Sequence, residues 1–183
     1  MYNTAADDSK GLVSKHRKVT KIEQDAIANH FFGDADPIVK GEAFGKFFEW
    51  FRATCDILRN PPFNEMYAAG FIFVHLDNAA IEKVMEHYDS STFMLVCGVK
   101  TPGTVGLIVK EAGGAVKKRA LVPYSKDVSG VVSNLKKYVG LEKILRQSGE
   151  EMTPVDKNEA LDGFLSQDQA HSNEDFMDSP LYV

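Results

Sequence analysis

Residues 91–110, STFMLVCGVKTPGTVGLIVK, constrain the fold more than any other part of the chain. Two β-rich runs, 92–99 and 104–110, flank Lys100-Thr101-Pro102-Gly103, where proline followed by glycine signals a turn. A third run, 115–122, follows across Gly113-Gly114, so three strands joined by hairpins are expected. In the first of them Phe93, Leu95, Cys97 and Val99 alternate with Thr92, Met94, Val96 and Gly98. Both sets are largely apolar, which suits a central strand covered on both faces. Helical apolar patterns bracket the sheet. Asp77 is placed to cap a helix over 78–88 that buries Ala80, Ile81, Val84, Met85 and Tyr88. A second helix, 128–139, carries Val128, Val131, Val132, Leu135, Tyr138 and Val139, with Gly140 to stop it. The expected class is α+β, a three-stranded antiparallel sheet flanked by two helices.

Upstream, residues 1–17 are small, polar and charged and read as a disordered leader. Lys15-His16-Arg17-Lys18 reads as a solvated, positively charged approach to the first helix. Thr20 and Glu23 form a capping box, Ile22, Ala26, Ile27 and Phe31 make an apolar stripe, and Gly33 is a stop. After the turn Asp34-Ala35-Asp36-Pro37, a longer helix is expected over 41–59. Its core stripe is predicted to be Phe44, Phe47, Phe48, Phe51, Cys55 and Leu58, with Trp50 on the flank. Pro61-Pro62 ends it, since proline lacks the amide N–H and disfavours helix in the residue before.

Composition narrows the chemistry. With 183 residues the chain can hold one substantial domain or a small domain with a helical companion, and a formal charge of −5 argues against a general nucleic-acid-binding surface. No secretory signal or membrane-length apolar run is present. Cys55 and Cys97 sit within apolar patterns and read as buried thiols of a cytoplasmic or nuclear protein. The histidines, 16, 30, 75, 87 and 171, show no metal-ligand spacing, and Gly103-x-x-Gly106 lacks the Lys-Ser/Thr of a phosphate loop. No enzyme, metal or cofactor is expected. From Glu150 onward nine acids face one base, Lys157, and beyond Phe164 this reads as a disordered acidic tail, 166–183.

The motifs resemble one family. STFML followed by PGTVGLIV is similar to the phosphotyrosine-binding strands of the STAT transcription factors, and helix, antiparallel sheet, helix is the outline of their Src-homology-2 domain. FFEWFRATCDILRN resembles the aromatic helix of the STAT linker, Gly70-Phe71-Ile72 the Gly-Phe-Ile that opens the Src-homology-2 domain, and Leu121-Val122-Pro123-Tyr124-Ser125-Lys126 the Val-Glu-Pro-Tyr-Thr-Lys segment. Residues 141–145 and 153–164 loosely resemble the closing segment. The resemblance implies a helical linker over 18–62 and a Src-homology-2-like domain over 63–165.

It also implies where a phosphate would be gripped. The family reads Gly-Thr-Phe-Leu-Leu-Arg-Phe-Ser where this chain reads Ser91-Thr92-Phe93-Met94-Leu95-Val96-Cys97-Gly98, so the arginine falls on Val96 and the serine on Gly98. A second family cation falls on Val74 or Asn78, by alignment from Gly70 or from Phe93. Buried phosphate wants a permanently charged, bidentate donor, and none of the four is one. The expectation is a degenerate pocket in a non-enzymatic signalling or transcription-regulatory protein. It would act by protein–protein contact, with a full-length STAT relative or another signalling protein as partner, and without membrane or direct DNA binding. The alternative is a phosphotyrosine reader rebuilt from Lys100, Lys117, Lys118 or Arg119, phosphorylated at Tyr182 and dimerising as STATs do. With only Val183 after Tyr182, no strand is expected to add along a partner.

Overall fold

The computed structural model describes residues 17–33, 41–111, 113–120 and 131–164. Among them the chain runs α1 (Lys21–Phe32), α2 (Gly41–Leu58), α3 (Phe63–Ala68), β1 (Ile72–Phe73), α4 (Asn78–Glu86), β2 (Thr92–Cys97), β3 (Val105–Lys110), β4 (Val116–Ala120), α5 (Val131–Lys137), β5 (Lys143–Ser148), β6 (Glu151–Asp156) and α6 (Lys157–Asp162). The class is α+β, with a mostly antiparallel sheet flanked by helices. The leader as far as residue 16, the turn at 34–37, Val128, the segment 121–126 and the acidic tail lie outside the described residues.

The expected three-strand meander is present as β2, β3 and β4, with Leu95 opposite Leu107 and Ile108 opposite Lys118. The sheet, however, has six strands rather than three, in the order β4-β3-β2-β5-β6 with β1 also on β2. Two short parallel pairings share one edge of β2: Ile72 and Phe73 pair with Leu95 and Val96, while Lys143 and Ile144 pair with Thr92 and Phe93. β1 has two residues, too few to show an alternation. β5 and β6 form a hairpin whose outer strand is mostly exposed and contains Pro154, so its pattern carries little strand signal.

Alternation in β2 distributes the core as expected. Phe93, Leu95 and Cys97 join Leu107, Val132 and Leu135 on the α5 face. Met94 and Val96 join Ile81, Met85 and Ile108 on the α4 face. The neighbouring strands obey the same parity, Ile72 and Ile144 falling on the first face and Phe73 and Leu145 on the second. Asp77 caps α4 as predicted, its Oδ1 accepting the Ala80 amide at 2.7 Å. α5 ends at Lys137, short of the expected 139, and Val139 is 93% exposed beside Gly140, whose φ of +84° breaks the helix.

α2 is rotated from its prediction: of the expected stripe, Phe47 and Leu58 are half-buried, with Phe47 against Phe31 and Trp50 and Leu58 on the core. Trp50, Thr54 and Ile57 are buried, while Phe44, Phe48 and Phe51 are exposed and Cys55 is half-buried. Both sides of this helix are apolar, so periodicity finds a stripe without saying which stripe faces inward. The indole decides it. Trp50 packs against Phe31 and His75, and its Nε1–H donates to the Gly98 carbonyl at 3.1 Å. A phenyl ring in that place would leave the carbonyl unpaired.

Candidate functional site

Val96 is 5% exposed and lies within the apolar cluster of Phe73, Ile81, Met85, Ile108 and Leu145. This side chain therefore packs between the sheet and α4 and offers no donor. Gly98 closes the turn after β2: its amide donates to the Thr104 carbonyl at 2.8 Å and its carbonyl takes the Trp50 indole. A Cβ there would run into the Thr104 hydroxyl and the Thr101 carbonyl, so a serine does not fit this turn. Val74 is buried, and its amide donates to Glu23 Oε1 at 2.7 Å, which sets a carboxylate where an anion would want a cation.

Asn78, the first residue of α4, accepts a hydrogen bond from Lys118 Nζ at 2.8 Å through Oδ1. Burial and the nearby charge of Lys100 lower the Lys118 pKa, partly offset by Asp77 and Glu82. The fold thus gathers Asn78, Lys100 and Lys118. Lys117, one residue along β4, pairs instead with Glu111 at 2.6 Å, as strand alternation requires. Arg119 lies in β4 opposite Leu107, and Tyr182 is outside the described residues.

His75 was not among the expected residues. It is 5% exposed, within 5.3 Å of the His30 ring and 6.0 Å of Trp50, and among the described residues its Nε2 has no hydrogen-bond partner. Burial, with smaller contributions from His30 and Lys118, lowers its pKa from 6.5 to about 4. A base whose folded pKa is depressed takes up its proton first in the unfolded chain as pH falls. Stability is accordingly full above about pH 6.5 and declines towards pH 4, by up to about 3 kcal/mol. Urea denaturation across this interval is expected to show the decline, and His75→Phe to flatten it. An unchanged slope in the variant would place the effect elsewhere.

A second polar constellation was also unexpected. Arg17, predicted to be solvated, has a side chain only 8% exposed and donates from Nη2 to Glu23 Oε2 at 2.9 Å and to Gln147 Oε1. Its guanidinium lies 4.9 Å from the centroid of the Tyr67 ring. Glu23 is fully buried, and the same Oε2 accepts the amide and hydroxyl of Thr20, each at 2.9 Å. The capping box is present as predicted, but its carboxylate also ties α1 to Val74, just past β1, and its Thr20 hydroxyl accepts a hydrogen bond from Gln147 Nε2 in β5. Nothing in the spacing of Arg17 and Glu23 signals this, since a partner six residues away lies outside helical pairing.

No family model and no curated protein matches the chain. The site must be read from its own geometry. Among the described residues no group of three or more His, Cys, Asp or Glu side chains could hold a metal ion, and no helix is long and apolar enough to cross a membrane. Burial pushes the Cys97 thiol up to about 12, so it stays protonated and a poor nucleophile at neutral pH.

Proposed function

We propose that this chain is a non-enzymatic interaction module of the STAT linker and Src-homology-2 type, whose phosphotyrosine pocket has been filled by apolar packing. The observation that carries the proposal is Val96, buried among Phe73, Ile81, Met85 and Ile108 at the position where the family holds its phosphate-gripping arginine. The sequence of a short parallel strand, a helix, an antiparallel meander and a second helix supports the reading of the fold. The module acts by contact with a signalling or transcriptional protein, in the cytoplasm or nucleus, without binding DNA or phosphotyrosine itself.

A rebuilt anion pocket is the second reading, and one cluster favours it. Lys118 and Lys100 converge near the amino end of α4 beside Asn78, with His75 Nε2, unpartnered among the described residues, in the same region. Titration of a tyrosine-phosphorylated peptide and its unphosphorylated form separates the two. The filled pocket predicts no phosphate-dependent binding, because each missing charge-assisted bond forfeits about 1.5–3 kcal/mol. Val96→Arg is then expected to create such binding, provided thermal melting shows the fold retained. Micromolar, phosphate-dependent binding by the wild type that is lost in Lys118→Met would establish the rebuilt pocket and overturn the first reading.

A further inference from the structure

Arg17 sits in its surroundings as a ligand sits in a receptor. Its Nη2 donates to Glu23 Oε2 and to Gln147 Oε1, and the ring centroids of Tyr67 and Phe73 lie 4.9 and 5.8 Å from its Cζ. A buried carboxylate, an amide oxygen and two aromatic rings are the groups that recognise a guanidinium, by its charge, its donors and its flat faces. Tyr67 reads the backbone as well, its hydroxyl donating to the Arg17 carbonyl at 3.2 Å. The site therefore suits an arginine in peptide linkage rather than a bare cation.

The two sides of this contact are unequally satisfied. Glu23 accepts the amide and hydroxyl of Thr20 through Oε2 and the amide of Val74 through Oε1, bonds in which Arg17 has no part. Gln147 Nε2 donates to the Thr20 hydroxyl at 2.9 Å, which leaves Oε1 to accept from the guanidinium. The Gln147 amide donates to the Gly70 carbonyl at 2.8 Å, and a Cβ on Gly70 would fall 2.1 Å from the Gln147 carbonyl oxygen, so β5 is held close against Gly70. The acceptors are thus anchored by the rest of the fold. The guanidinium, by contrast, keeps a buried Nη1 with no hydrogen-bond partner among the described residues. Arg17 also precedes the N-cap Thr20, so its departure does not unwind α1.

We propose that Glu23, Gln147, Tyr67 and Phe73 form an arginine-recognition site, which Arg17 occupies in cis and which an arginine of a partner protein enters by displacing it. The tethered residue makes the site self-occluded: an outside arginine binds only in the fraction of molecules from which Arg17 has swung away. The site uses neither Val96 nor the lysines of β4, and stands whichever way the phosphotyrosine pocket is read.

Arg17→Gly in the full chain vacates the site, and acetyl-arginine methylamide is the probe, with acetyl-lysine methylamide as its control at matched ionic strength. Calorimetric titration is expected to show the arginine probe binding Arg17→Gly about a hundredfold more tightly than wild type, as an open fraction of about one in a hundred requires. The lysine probe should bind the variant at least about tenfold more weakly, because an ammonium lacks the planar donors and flat faces of the guanidinium. Adding Glu23→Gln to Arg17→Gly should cost the arginine probe about tenfold or more, through loss of the charged acceptor. The arginine probe should also restore most of the urea midpoint that Arg17→Gly loses. If that variant is unfolded in buffer, recovery of its far-ultraviolet circular dichroism on adding the arginine probe supports the proposal, and a chain that stays unfolded overturns it. Equal effects of the two probes overturn it, because Arg17 then supplies charge alone. Equal affinity of the arginine probe for wild type and Arg17→Gly overturns it as well, since the probe then binds at another surface.

Discussion

Trp50→Ala is expected to cost about 3–5 kcal/mol of stability, and Phe48→Ala, two positions away, no more than about 0.5 kcal/mol. Trp50 is 1% exposed and Phe48 is 55% exposed, so one deletion opens a cavity and the other removes a ring from water. The tryptophan also donates to the Gly98 carbonyl, which anchors the turn between β2 and β3. Its loss should therefore loosen the turn that carries Lys100 as well as the helix. Urea midpoints of the two variants check this. Equal effects, or a larger loss at Phe48, would mean that α2 packs by its phenylalanine stripe.

Glu23→Ala is the second large effect, expected at about 3–5 kcal/mol. The carboxylate is fully buried and accepts hydrogen bonds from Arg17, from the amide and hydroxyl of Thr20, and from the amide of Val74. Its removal leaves the Arg17 cation buried with, among the described residues, only the Gln147 side chain and aromatic faces about it. Arg17→Met alone should also be costly, because the carboxylate then loses its counter-charge. The double variant Arg17→Met, Glu23→Leu should recover much of the loss, since a buried ion pair is replaceable by apolar packing although neither half is removable alone. A double-mutant cycle in urea measures the coupling. A Glu23→Ala variant within about 1 kcal/mol of wild type would show that water reaches the pair.

The legible parts of this fold were those fixed by local chemistry. Pro102-Gly103 marked the hairpin, Asp77 the start of α4, and the two-residue alternation in β2 assigned Phe93 and Met94 to opposite faces. What escaped depends on segments distant in sequence. β1 is a strand only because β2 presents Leu95 and Val96 to it, and β5 because the same edge continues past Thr92 and Phe93. Trp50 and the phenylalanines compete for one interior, and the winner is set by a carbonyl 48 residues further along the chain. At the site, alignment located Val96 and Asn78, and strand parity separated Lys117 from Lys118. His75 and Arg17 could not be reached in that way, because a buried polar residue is recognised by its partners rather than by its spacing.

The six-stranded sheet leaves two margins, β4 on one side and β6 on the other, with no further strand paired to either among the described residues. A bare margin of amides and carbonyls invites another chain to dock and propagate into fibres. Each margin here carries a deterrent. β4 contains Lys117 and Lys118 in succession, so an incoming strand must desolvate ammonium groups above and below it. β6 has Pro154, which supplies no N–H for a ladder, and begins at the exposed Glu151. The lysines weighed above as substitute cations thus stand guard on an open sheet edge, so neutralising them for a binding experiment also removes a safeguard of colloidal stability.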